Sequence, residues 1–196
     1  VGRHIREHHI DLQLETELRE ILSDEKGRVR AVVTSKGHEI PCQFVGLTAG
    51  VSPNIDFLRN SELEVNRGVK VDEFFRTNIT DVYSIGDCAE FEKAPASDRR
   101  NIEQVWYTGR MHGETLAHNL CKEPVPYHPG VWFNSAKFLD IEYQTYGTVP
   151  ATWDENQVKN FYWEHPSGKV AFRMLMDLEG KIRGVNNFGF RLRHEF

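Results

Sequence analysis

The run from residue 132 to residue 189 constrains the fold more than any other stretch of the chain. Apolar and polar residues alternate through WFNSAKFLDIEYQTYG, QVKNFYWEH, VAFRMLMD and IRGVNNFG, and two of the breaks, HPSGK and DLEGK, are glycine-containing turns. Period-two alternation interrupted by such turns predicts consecutive antiparallel hairpins. EPVPYHPG, just before this run, is rich in proline and reads as a linker, so residues from about 121 onward are expected to form a separate antiparallel unit.

Upstream the pattern is mixed. DLQLETELREILSD alternates imperfectly at Leu12, Leu14, Leu18 and Leu22, then DEKG and Lys36-Gly37 punctuate VRAVVTSKGHEI, which predicts a strand meander. CQFVGLTAG is a short apolar run and predicts a buried strand, while IDFLRNSELEV predicts a short helix or turn. RGVKVDEFFRTN suggests a hairpin-like pair of short strands, and DVYSIGD an apolar strand ending at Gly-Asp. After the polar loop EKAPASDRR comes a helix expected over residues 101–120, with Asn101 and Gln104 spaced as a capping box. Its inward face would carry Ile102, Val105, Trp106, Thr108, Gly109, Gly113, Leu116, Ala117 and Leu120. RLRHEF, residues 191–196, reads as helix-like.

Composition removes several function classes. With 196 residues, 39% of them hydrophobic, the chain can bury a core and is neither disordered nor fibrous. Its 24 basic and 29 acidic side chains give a net charge of −5, which argues against nucleic-acid or anionic-membrane surfaces that need clustered Lys and Arg. No apolar run approaches the roughly 20 residues that span a bilayer, and VGRHIREHHI is too charged for a signal peptide. Cys42, Cys88 and Cys121 are too sparse for a disulfide framework, so a cytoplasmic, reducing location is expected. No pair of cysteines is spaced as a redox dithiol.

The stretch RTNITDVYSIGDCAE, residues 76–90, carries the most chemistry. A strand ending in Gly86-Asp87 would deliver a carboxylate to the carboxyl end of a sheet, where ligands bind in α/β folds. Glycine permits close approach to the backbone, and aspartate accepts hydrogen bonds from hydroxyls. Read alone, Gly-Asp is also ordinary turn punctuation.

Together with TAGVSPN at 48–54 and RGVKVDEFFRTN, this stretch resembles the pyridine nucleotide–disulfide oxidoreductase superfamily of FAD- and nicotinamide-dependent enzymes. RRNIEQVWYTGRMHGETLAHNLCKEPVPY and VWFNSAKFLDIEYQTYG look most like its ferredoxin and rubredoxin reductase and apoptosis-inducing-factor branch. The resemblance implies an α/β fold: part of a two-dinucleotide-binding-domain flavoprotein, followed by a β-rich α+β C-terminal domain. Residues 1–50 would end the NAD(P)H-binding domain, 51–120 would be the second part of the FAD-binding domain, and 121–196 the C-terminal domain. Asp87 would bind the ribityl chain of FAD with Gly86 allowing its approach, and Gly50 would end the Thr48-Ala49-Gly50 segment that leads back toward the flavin. Ile102, Glu103 and Gln104 would lie at a helix N-terminus facing the flavin pyrimidine, where free N–H groups stabilise negative charge. Glu103 read by itself is equally a first-turn acid. Trp106 and Trp132 are candidate walls of the site, although packing is the commoner use of tryptophan in such segments.

The implied activity is hydride transfer from NAD(P)H to FAD and onward delivery of electrons to an acceptor such as a small redox protein, with no side chain needed as general acid or base. The chain contains no G-x-G-x-x-G, so neither pyrophosphate loop is present in it. The competing reading is a non-catalytic binding or assembly module with incomplete nucleotide sites. HIREH at 4–8 matches the zinc-protease motif H-x-x-E-H, but it has no third ligand in the sequence and is read as a solvated helix end, with no metal expected. The other histidines, His112 among them, are scattered without ligand spacing.

Overall fold

A computed structural model describes residues 1–192. The chain divides into two compact units, Val1–Val51 and Ser52–Phe196. In the first unit a short helix α1 (Gly2–Glu7) precedes strands β1 (Leu18–Ser23), β2 (Val29–Thr34) and β3 (Glu39–Pro41), which pair antiparallel in the order β1-β2-β3. The expected meander is therefore present, and its turns have local causes. Asp24 Oδ1 accepts the amides of Lys26 and Arg28, each at 2.9 Å, while Gly27 takes φ +73°. Such a turn needs a short acceptor at its start and a residue without Cβ at its left-handed position.

CQFVGLTAG does not form the buried strand expected of it. Residues 42–49 are irregular, and Phe44 and Leu47 are 84% and 72% exposed. An apolar run becomes a strand only where another strand offers its backbone, and β3 ends at Pro41 without a further partner among the described residues. The helix-end histidines also depart from expectation, since His4 is buried and its ring lies 4.3 Å from that of His8.

The second unit begins with a single 3-10 turn at Asp56–Leu58. Strand β4 (Val69–Val71) pairs in parallel with β5 (Ala89–Phe91), so RGVKVDEFFRTN contributes one strand and not a hairpin. The reason is the loop at 72–76: Asp72 Oδ1 accepts the amides of Phe74 and Arg76, turning the chain away after Val71. Within that loop Phe75 adopts φ +66° and is fully buried at the centre of a cluster with Val71, Ala89, Phe91 and Tyr127. The DVYSIGD segment is extended, with an isolated bridge between Tyr83 and Arg76, and the strand follows the Gly-Asp pair instead of preceding it.

Helix α2 (Trp106–Cys121) packs Met111 and Leu116 against the same cluster. Its N-cap lies four residues later than the capping-box spacing predicts. Asn101 is held beside Phe91, its side-chain amide donating to the Phe91 carbonyl at 2.6 Å and its main-chain carbonyl accepting the Phe91 amide at 2.9 Å, and Val105 stands at the N-cap position without a side-chain bond. Thr108 and His112 form the buried line of the helix, whereas Trp106 and Leu120 are 70% and 60% exposed, against the inward face expected. The proline-rich stretch is not a free linker: Tyr127 is 3% exposed, and its amide donates to the Glu73 carbonyl at 2.8 Å.

The remaining strands are β6 (Phe133–Phe138), β7 (Ile141–Gly147), β8 (Val158–Glu164), β9 (Ala171–Asp177) and β10 (Ile182–Phe188). They form one antiparallel sheet in the order β6-β7-β10-β9-β8, which fulfils the hairpin expectation. Residues 132–147, a single run in the sequence, fold back at Leu139, whose φ is +61°. Arg191 and Leu192 are irregular, and the helix-like reading of residues 193–196 lies outside the described residues, as does His194. No helix among the described residues is long and apolar enough to cross a membrane.

Candidate functional site

Gly86 and Asp87 open a single 3-10 turn, Gly86–Cys88, laid against the first half of α2. Ile85 enters it fully extended at φ −139° and ψ 169°, and Gly86 then takes φ +72°, a reversal that a residue with Cβ adopts only at a cost. A Cβ on Gly86 would meet nothing within 4 Å, so the glycine leaves open space above the turn. Gly109 of α2 faces it, and a Cβ there would meet Gly86 Cα at 3.6 Å. Asp87 is exposed, and its carboxylate makes no hydrogen bond or ion pair among the described residues. Four acceptor lone pairs are therefore available to a ligand's hydroxyl or amine donors.

The turn is held from below by a group that sequence reasoning did not single out. His112, 2% exposed, accepts the Gly86 amide at Nδ1 with a distance of 3.1 Å. Its ring lies 4.9 Å from Phe75, 5.5 Å from Phe91 and 4.7 Å from Tyr127. Burial among these rings drives its pKa down from 6.5 to about 4, outweighing the opposing pull of Glu103. His112 is neutral at physiological pH and keeps a lone pair for Gly86. The same burial pushes the Tyr127 phenol up to about 12.

Ile102, Glu103 and Gln104 lie in an extended approach to α2 and not in its first turn. Glu103 faces inward: it is bidentate with Arg99, whose side chain is fully buried, and accepts from Thr108 Oγ1 at 3.1 Å. Burial opposes ionisation of Glu103, but the hydrogen bond and charge of Arg99 prevail and hold its pKa below the usual value. Arg99 also donates to the carbonyls of Pro129 and Gly130, at 3.3 and 3.1 Å, tying the approach to the strap that carries Tyr127. With Glu103 so engaged, the first turn of α2 contains no acid and no side-chain cap, and its N–H groups keep their full positive end.

Tyr107 donates to or accepts from Ser135 of β6 at 2.7 Å and packs its ring at a tilt against Phe133, centroids 4.6 Å apart, fixing the start of α2 to the large sheet. Trp106 stands exposed beside it, 5.2 Å from Tyr107. Trp132 is half-buried and accepts the Gly147 amide through its carbonyl at 2.7 Å. Gly50, at φ +108°, belongs to the first unit. Gly86, Asp87 and the α2 terminus are thus assembled by one body of structure, with Glu103 beneath them as a strut. Arg99, His112 and Tyr127 were hidden in the sequence as a polar-loop arginine, a scattered histidine and a linker tyrosine.

The fold as a whole matches solved structures of the FAD- and NAD-binding oxidoreductase fold. A ferredoxin reductase from Rhodopseudomonas palustris shares it, with a TM-score of 0.78 over 95% of this chain and 45% of that one, at 22% identity. The family described as pyridine nucleotide-disulphide oxidoreductase matches residues 1–113, and the chain belongs to it. Among curated relatives, the 5,5'-dehydrodivanillate O-demethylase ferredoxin reductase subunit of Sphingobium sp. is 32% identical over 154 residues, covering 79% of this chain and 37% of its own. The ferredoxin–NAD(+) reductase component of the p-cumate 2,3-dioxygenase system of Pseudomonas putida is 31% identical over 128 residues, 65% of this chain and 30% of its own. The chain spans about a third of the length of these relatives.

Proposed function

We propose that the chain works as part of an FAD-dependent NAD(P)H oxidoreductase that hands electrons to a separate acceptor, a small redox protein of the ferredoxin type. The observation that carries this reading is the unengaged Asp87 carboxylate on a glycine turn that leaves room for a bulky ligand. The donor chemistry fits FAD: a polyol chain presents hydroxyl donors, and Asp87 offers only acceptors. FAD, when bound, supplies the redox chemistry by accepting a hydride from NAD(P)H and releasing two electrons singly. The residues of this chain hold and orient. Asp87 accepts from a ribityl hydroxyl, Gly86 keeps the approach clear, and the uncapped α2 terminus offers N–H groups to negative charge. Residues 1–50 are assigned to the nicotinamide-binding domain, 51–120 to the flavin-binding domain and 121–196 to the C-terminal domain. Cytoplasmic residence accords with Cys42, Cys88 and Cys121 all being free thiols.

Replacing Asp87 tests the reading. A hydrogen bond to a charged acceptor contributes roughly 1.5–3 kcal/mol, so Asp87→Ala in the intact enzyme should weaken FAD binding about ten- to a hundredfold, and Asp87→Asn less. Titrating FAD into the apo proteins measures it. Unchanged affinity in Asp87→Ala makes Gly86-Asp87 a turn and nothing more.

A further inference from the structure

We infer that His112 is a positioning residue for the Gly86-Asp87 turn, fixing the direction in which Asp87 is presented by accepting the Gly86 amide. This rests on the assignment of Asp87 to the ribityl chain. The Gly86 N–H is the first donor of a 3-10 turn and has no partner within the turn, while the reversal at φ +72° aims it into the core. There the Nδ1 of His112, at 3.1 Å, meets it. An apolar side chain would fill the same cage of Phe75, Phe91 and Tyr127 and leave that half-buried amide without its acceptor.

The role demands a particular protonation state. Nδ1 accepts only when the proton sits on Nε2, and a doubly protonated ring would turn a donor toward a donor. The charged and titratable groups that face the ring are Glu103 and Arg99 from the approach to α2 and Tyr127 from the strap beyond it. Glu103 and Arg99 neutralise each other as a buried pair, so the aromatic surroundings decide, and they favour the neutral ring. Protonation of His112 and release of the Gly86 amide are one event.

Two variants separate positioning from packing. In His112→Asn the side-chain oxygen can stand where Nδ1 stands, and in His112→Phe the cage is filled without an acceptor. By NMR on the 196-residue chain, Gly86 amide exchange should be at least about tenfold faster in His112→Phe and near wild type in His112→Asn. In the intact enzyme FAD affinity should fall by about tenfold in His112→Phe and return to within about threefold of wild type in His112→Asn. Equal FAD affinity in the two variants overturns the proposal. So does wild-type affinity in His112→Phe where Asp87→Ala is weakened; an Asp87→Ala without effect sinks the flavin assignment instead, and the Gly86 exchange result still reports on the His112 bond. Should His112→Phe fail to fold, the wild-type chain carries the test: the His112 ring and Gly86 amide shifts must titrate with one midpoint well below 6, and a Gly86 amide indifferent to that titration refutes the coupling.

Discussion

His112 gives up its proton to occupy the core, and folding therefore depends on pH. Its folded pKa, about 4, lies below the 6.5 of the free side chain, so the unfolded chain binds more protons between those values. Stability rises with pH across that window and is lost as pH falls through it. The full difference is worth about 3 kcal/mol at most. Urea unfolding of the chain at pH 4.5 and pH 7 should show a large part of it, and His112→Phe should flatten the dependence; an unchanged slope would assign the pH effect to other groups. The turn at Gly86-Asp87 was legible because glycine followed by aspartate at the end of an apolar run is a local signal. His112 was not, since a histidine on a helix face says nothing until the aromatic rings around it are known. Glu103 misled for a related reason. It looks like a first-turn acid, yet its partner Arg99 sits four residues earlier, outside the helix and within what reads as polar loop.

At the scale of elements, glycines mark the sequence features that translated best into structure. Gly147 ends β7 at φ +62°, and a Cβ there would lie 2.3 Å from the Arg183 carbonyl oxygen. Gly27 shares the conformation, φ +73°, with nothing within 4 Å. Gly27→Ala should cost only the backbone share, roughly 1–3 kcal/mol, and Gly147→Ala clearly more, because backbone atoms of the neighbouring strand must move. Thermal unfolding of the two variants decides it, and equal losses would contradict the β7–β10 register. Elements that depend on distant partners were harder to read. CQFVGLTAG and DVYSIGD have strand composition, but composition does not supply a neighbouring backbone. Asn101 has the cap residue's chemistry and the right spacing, but its main chain and side chain are both paired with Phe91, which holds it outside the helix. Phe75 was unreadable for the opposite reason: a bulky residue at positive φ contradicts its own propensity and persists because Asp72 and the surrounding rings over-determine it.

For the molecule as a whole, the two pyrophosphate loops matter more than any single residue. Dinucleotides are held chiefly by backbone N–H groups of glycine-rich loops at helix N-termini, and this sequence contains no G-x-G-x-x-G. The 196-residue chain alone should therefore bind neither FAD nor NAD(P)H tightly. Flavin absorbance co-eluting with it at one equivalent in gel filtration would disprove this. The antiparallel character of the large sheet was visible from its turns, whereas its strand order was not, because β7 and β10 pair across 43 residues, as between Gln144 and Asn187. That order has a consequence for how the protein is made. β10, the last of the five strands to leave the ribosome, is the central one, joining the hairpin β6–β7 to the hairpin β8–β9. Until it arrives, the nascent chain carries two marginal hairpins with bare inner edges, each open to pairing with another chain. Stopping translation after Gly180 should yield a product that aggregates and binds a hydrophobic dye, while extension by only the residues of β10 should restore a cooperative fold. A soluble, cooperatively unfolding product from the shorter message would show that the sheet does not depend on its central strand.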